Sequence, residues 1–172
     1  MKGTVYPPEA RSYKDRVTGR TVTQLTDYFG HSNHLYFTNE TFYGDDLIFK
    51  SQRHNRTNLF RLRMDSKEIV QLTDFPPIPY KDRWSDRAQH SYVHEGNQEV
   101  YSFYGDKLYA CHLETLEQRV LYEAPEGFTL SGGSPSSDGK YIVVSINEDG
   151  SAGGEQGRPV PQSVRRSETP NP

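Results

Sequence analysis

From Gly30 to Asp74 the chain alternates short apolar runs with polar turns. Leu35, Tyr36 and Phe37 form a first run, and a Gly44-Asp45-Asp46 turn leads to a second, Leu47, Ile48 and Phe49. A polar, basic loop precedes a third run at Leu59, Phe60 and Leu62. After Asp65 and Ser66 comes a fourth, at Ile69, Val70 and Leu72. Short runs bounded by turn residues predict strands, and four of them within about 45 residues make one antiparallel unit the size of a propeller blade.

The unit recurs. Val22-Thr23-Gln24-Leu25-Thr26-Asp27 returns as Val70-Gln71-Leu72-Thr73-Asp74, and Arg119-Val120-Leu121-Tyr122-Glu123 is a weaker echo. Leu47 to Phe49 matches Val100 to Phe103, each after a turn. A third copy begins at Leu130, with the Ser137-Asp138-Gly139 turn directly before Tyr141 to Val144. A period of about 50 residues fits blades, and one four-stranded sheet cannot bury both of its faces alone, so the copies must stack. The reading is an all-β partial β-propeller over 13–147. It holds an N-terminal strand, blades near 34–74 and 90–123, and half of a third, which is too few to close a ring. Residues 1–12 are expected to be irregular. Residues 148–172, rich in Gly, Pro, Ser and charge, are expected to be a disordered tail. The periodicity stops within the third copy, which predicts a truncated or frame-shifted product with an open blade edge prone to self-association.

Composition supports a β fold: 12% of residues are aromatic, and the twelve tyrosines suit half-wet sheet surfaces. A net charge of -3 argues against general attraction to nucleic acid or anionic membrane, so any anion site must be local. The single cysteine, Cys111, forms no internal disulfide and reads as a small buried strand residue. With no signal peptide or membrane-spanning run in the sequence, a cytoplasmic location is expected.

Of the six histidines, His34 and His90 open corresponding first strands, which in a propeller line the central channel. His31 and His34, or His90 and His94, suggest a metal pair. The second pair would be about 13 Å apart along a strand, too far for one ion, and no Cys or carboxylate cluster accompanies either pair. Arg53 lies in the basic loop from Lys50 to Arg56, where a guanidinium suits a carboxylate; a solvated hairpin loop is the plainer alternative. Arg83 and Trp84 precede the second blade, where an indole beside a guanidinium suits an acidic sugar, or Trp84 packs between blades. No phosphate loop, nucleophile elbow or zinc signature is present.

The segments His31-Ser32-Asn33-His34-Leu35-Tyr36-Phe37-Thr38-Asn39, Leu47 to Ser51, Asn55 to Phe60 and Ile69 to Asp74 closely resemble the oligogalacturonate lyase family, with a weaker likeness from Leu121 to Val144. The blades are of the WD40-like or TolB-like kind, and the Gln-Leu-Thr-Asp and Ser-Asp-Gly-Lys pieces alone are shared with many periplasmic propellers. The resemblance implies a seven-bladed β-propeller that cleaves oligogalacturonides from pectin by β-elimination, leaving an unsaturated uronate. It also implies a divalent metal, typically manganese, held by residues of later blades that are absent here, together with the catalytic histidine. This chain is therefore expected to carry substrate contacts only and to be inactive alone. His31, His34, Arg53, Arg83, Trp84 and His90 are the expected contributors to a uronate-binding channel. The alternative is a non-catalytic propeller segment that scaffolds partners.

Overall fold

The computed structural model describes residues 1–77 and 90–148, together with the backbone of Val160–Arg165. Every sheet is antiparallel. The first is built from β4 (Ser32–His34), β5 (Phe42–Tyr43), β6 (Asp46–Ser51), β7 (Asn58–Leu62) and β8 (Ile69–Gln71), with β1 (Val5–Tyr6) added outside β8. The second is a meander of β9 (Tyr92–His94), β10 (Glu99–Tyr104), β11 (Lys107–His112) and β12 (Gln118–Glu123). The third holds β13 (Phe128–Pro135), β14 (Tyr141–Glu148) and β15 (Val160–Arg165). A separate hairpin, β2 (Arg11–Lys14) with β3 (Thr21–Gln24), precedes them. Among the described residues this is the partial β-propeller that the repeat predicts.

The stacking follows from alternation along the strands. Ile48, Leu59 and Leu72 leave one face of the first sheet to meet Val93, Val100, Cys111 and Leu113 of the second. The opposite face carries Phe49, Phe60, Leu62 and Ile69, covered by Tyr6 and Leu25. Tyr101, Phe103, Leu108 and Ala110 then meet Leu130, Ile142, Val144 and Ile146 of the third sheet. The close approach of β13 to β14 depends on Gly133, where a Cβ would lie 2.2 Å from the Val143 carbonyl oxygen.

The repeated Gln-Leu-Thr-Asp piece has a structural role in both places. Gln24 Nε2 donates to the Thr26 carbonyl at 2.8 Å, and Gln71 Nε2 donates to the Thr73 carbonyl at 2.7 Å. In the second copy Thr73 Oγ1 also accepts from the Leu59 amide and donates to Asn58 Oδ1, and Asn58 Oδ1 accepts the Phe75 amide at 2.7 Å. The motif thereby satisfies backbone groups where the chain leaves its sheet.

Three expectations need correction. Leu35-Tyr36-Phe37 is not the first strand. β4 pairs with β6 up to His34 opposite Phe49 and β5 resumes at Phe42 opposite Leu47, so residues 35–41 bulge out opposite Ile48 alone. Only Leu35 turns into the core, at 1% exposure, while Phe37 remains 76% exposed. Within residues 1–12, expected to be irregular, Val5 and Tyr6 pair with Val70 and Ile69, because the outer edge of β8 offers unpaired backbone groups. Within residues 148–172, expected to be disordered, Val160–Arg165 pairs along β14 from Tyr141 to Ile146. Pro161 is compatible with that strand because β15 lies at the sheet edge.

Candidate functional site

β4 with β5, β9 and β13 are the first strands of successive sheets, and their edges form one continuous wall. Backbone and side-chain bonds fix its geometry. The Val93 amide donates to the Glu40 carbonyl at 3.2 Å, and Asn39 Nδ2 donates to the Ser91 carbonyl at 3.0 Å, so the 35–41 excursion is tied to the second sheet. Farther along, Asn97 Nδ2 donates to the Gly139 carbonyl at 3.1 Å, and a His94 ring nitrogen lies 3.3 Å from the Ser137 carbonyl oxygen, joining the second sheet to the third.

The wall carries His34, exposed, with Nδ1 donating to the Leu35 carbonyl. Tyr36 and Phe37 lie beside each other, their ring centroids 4.5 Å apart. Tyr36 in turn lies 6.2 Å from the ring of His90, which precedes β9. Lys50 of β6 stands opposite Asn33 of β4 and is 7% exposed. Asn33, His34, Leu35, Tyr36, Phe37 and Lys50 together line a cleft of about 280 Å³. Deeper in the wall, burial pushes the Tyr92 hydroxyl above its ordinary pKa, against opposing hydrogen bonds from the Gly133 backbone and Asn39, so it stays protonated.

The structure thus brings His34 and His90 into one neighbourhood through Tyr36. His31 is exposed at the start of β4, and its carbonyl accepts the Gln52 amide at 2.8 Å. Arg53, expected on the channel wall, is instead drawn into the protein, its side chain 1% exposed. Its two terminal nitrogens donate to the two Glu9 oxygens at 2.6 and 3.0 Å, and its guanidinium lies 4.7 to 5.4 Å from the ring centroids of Tyr28, Tyr6 and Phe60. The bidentate carboxylate fork read from the sequence exists, and an internal residue fills it. Arg83 and Trp84 lie outside the described residues. Sequence reasoning placed Lys50 only in a basic loop and read Tyr36 and Phe37 as strand. The signal that brings them to one cleft is the break in the inner strand, which appears only in the register.

A second hollow, about 870 Å³, opens between the first two sheets near Tyr43, Asp45, Asp46, Arg61, Asp65 and Glu95. Arg61, the one cation among the described residues that line it, is held by Asp46 at 2.6 Å and Glu114 at 3.1 Å and lies 4.9 Å from the Tyr43 ring centroid. The first cleft instead places Lys50 beside His34 and the rings of Tyr36 and Phe37. Among the described residues no group of three or more His, Cys, Asp or Glu side chains is arranged to hold a metal ion. They do not fit the manganese site that the resemblance implies.

No protein-family model matches the sequence, and no curated protein matches it. Among solved structures, the chain is similar to an oligogalacturonate lyase in complex with manganese, with a TM-score of 0.72 and 22% identity over 86% of this chain. It is also similar to the oligogalacturonate lyase of Vibrio parahaemolyticus, with a TM-score of 0.72 and 21% identity over 86% of this chain. The alignment covers 38% of the length of each of those structures. The stacked sheets described above accordingly share the β-propeller fold of the oligogalacturonate lyases, over a little more than a third of their length.

Proposed function

We propose that this chain forms part of the substrate channel of a carbohydrate lyase that cleaves oligogalacturonides by β-elimination. The observation that carries this reading is the fold likeness over 86% of the chain, and the sequence resemblance from His31 to Asp74 supports it. In such an elimination a base removes the proton α to the uronate carboxylate. The electron pair forms the ring double bond as the C4–O glycosidic bond breaks, and the departing oxygen takes up a proton. Cationic and hydrogen-bonding groups stabilise the enediolate as charge moves onto the carboxylate.

Within that reading the role of this chain is to bind. In support of it, His34 and Lys50 line one cleft, and the His90 ring lies 6.2 Å from that of Tyr36 on the same cleft. No step is assigned here to a metal or to a catalytic base. The lone, buried Cys111 needs no oxidising compartment, which accords with a cytoplasmic setting. The test is a titration of the 172-residue chain with trigalacturonate, followed by histidine resonances in NMR spectra, alongside an ultraviolet assay for unsaturated uronate. Shifts of the His34 and His90 signals without product formation are the expected result. Absence of any shift removes the reading.

A second reading, a non-catalytic segment that pairs with another copy of itself, is favoured by Tyr141 and Val143. They alternate with the buried Ile142 and Val144 on β14 and are 40% and 50% exposed. A monomer by sedimentation at high protein concentration would exclude it.

A further inference from the structure

The 35–41 excursion is a held structure that exposes two aromatic side chains. Leu35 anchors its start in the core between the first two sheets. The Asn39 amide closes a turn on the Tyr36 carbonyl at 2.8 Å, and Thr41 returns to Ile48, its carbonyl accepting that residue's amide at 2.8 Å and its hydroxyl donating to that residue's carbonyl at 2.8 Å. Between those ties Tyr36 is 48% and Phe37 76% exposed. A loop fixed at both ends that presents two adjacent rings beside a lysine-lined cleft has already met much of the ordering cost of binding.

We propose that this cleft is a subsite for one carboxylate-bearing pyranose ring. Phe37 and Tyr36 lie against its apolar C–H face, and Lys50, with His34, faces its carboxylate. The assignment rests on the channel reading above in taking a uronate as the ligand. The size fits a single ring: about 280 Å³ lies just below the roughly 300–1,000 Å³ of sites for larger small molecules. Lys50 has a partner within the protein, and an ammonium with three donors can hold that partner and a ligand oxygen together. Two rings with a few polar groups are the usual makeup of a small-molecule site, and a cation adds preference for an acid over a neutral sugar.

The test uses the whole chain, titrated in parallel with trigalacturonate and with a neutral galactose trisaccharide. Phe37→Ala is expected to leave the melting temperature unchanged, because the ring is largely in solvent, and to weaken trigalacturonate binding roughly three- to tenfold. Lys50→Met, checked for folding by circular dichroism, is expected to erase the preference for the acidic ligand. Trigalacturonate binding that survives Phe37→Ala unchanged would overturn the subsite while leaving the channel reading intact. Equal affinity of the native chain for the two trisaccharides would overturn the carboxylate assignment, and failure to bind either one overturns both proposals.

Discussion

Glu9 and Arg53, 44 positions apart in the chain, form a two-pronged ion pair at 2.6 and 3.0 Å that ties the N-terminal segment to the loop between β6 and β7. The Arg53 side chain is 1% exposed, and three aromatic rings surround its guanidinium. Glu9 also accepts the Asp27 and Tyr28 amides at 2.9 and 3.1 Å, so a single carboxylate organises both ends of the first hairpin.

Removing that carboxylate leaves a buried cation without its counter-charge. Glu9→Ala is expected to cost about 3 kcal/mol by urea unfolding, near the low end for broken buried pairs because Glu9 retains 18% exposure. Replacing both partners with apolar residues, as in Glu9→Leu with Arg53→Met, is expected to cost less than Glu9→Ala alone, since no charge is stranded.

The same pair sets an acid limit on stability. Burial raises the Glu9 carboxyl, but the Arg53 hydrogen bond and charge and the Asp27 and Tyr28 amides outweigh it, so the folded-state pKa lies below the ordinary 4.5. A depressed carboxylate stabilises the fold above its unfolded-state pKa, and that contribution is lost as pH falls through the folded value. The unfolding midpoint should therefore drop below pH 4.5, and Glu9→Gln should flatten the part of the slope that Glu9 contributes.

Arg61 separates the effect of a partly buried partner from that of an exposed one. Its Nε donates to Asp46 at 2.6 Å, both side chains being 16% exposed, whereas Glu114 is 51% exposed. Asp46 also accepts the Met64 amide at 3.0 Å. Asp46→Ala is expected to cost about 2 kcal/mol and Glu114→Ala under about 1 kcal/mol, and added salt should weaken only the second contribution appreciably.

Gly133 tests the packing of the third sheet. A Cβ there would meet the Val143 carbonyl oxygen and come within 3.2 Å of the Phe103 ring, so backbone has to move. Gly133→Ala is expected to destabilise by about 3 kcal/mol, at the upper end for overpacking, and to loosen β13 from β14 in hydrogen exchange.

Cys111 is fully buried, its Sγ donating to the Leu72 carbonyl at 3.4 Å, and burial pushes its pKa up to about 11. At pH 8 it is expected to resist thiol reagents until the chain unfolds, so its labelling rate should follow denaturant concentration. Rapid labelling of the native chain would contradict this packing.

Much of this molecule follows from local pattern. The alternation in Leu47 to Leu62 and in Val100 to Leu113 specifies strands whose two faces are both apolar, and the repeat near 50 residues demands that such sheets stack. The Gln-Leu-Thr-Asp repeat was visible because the contact it makes, a glutamine to a carbonyl two residues on, is itself local. Other features depended on long-range partners. Arg53 looked like a ligand group until folding brought Glu9 to it, because sequence shows a charge but not what lies beside it. Tyr36 and Phe37 read as part of a strand because short apolar-aromatic runs between turns usually are, and only the register of β4 and β5 against β6 turned them outward. The β15 strand was hidden for a related reason: its composition does not favour a core, and what it pairs with is the open backbone edge of β14. The sequence by itself determined the strand period and which faces are apolar, since both depend on neighbours in the chain. Tertiary structure decided which charges are already satisfied and which aromatic rings stay exposed, since those depend on groups that meet only after folding.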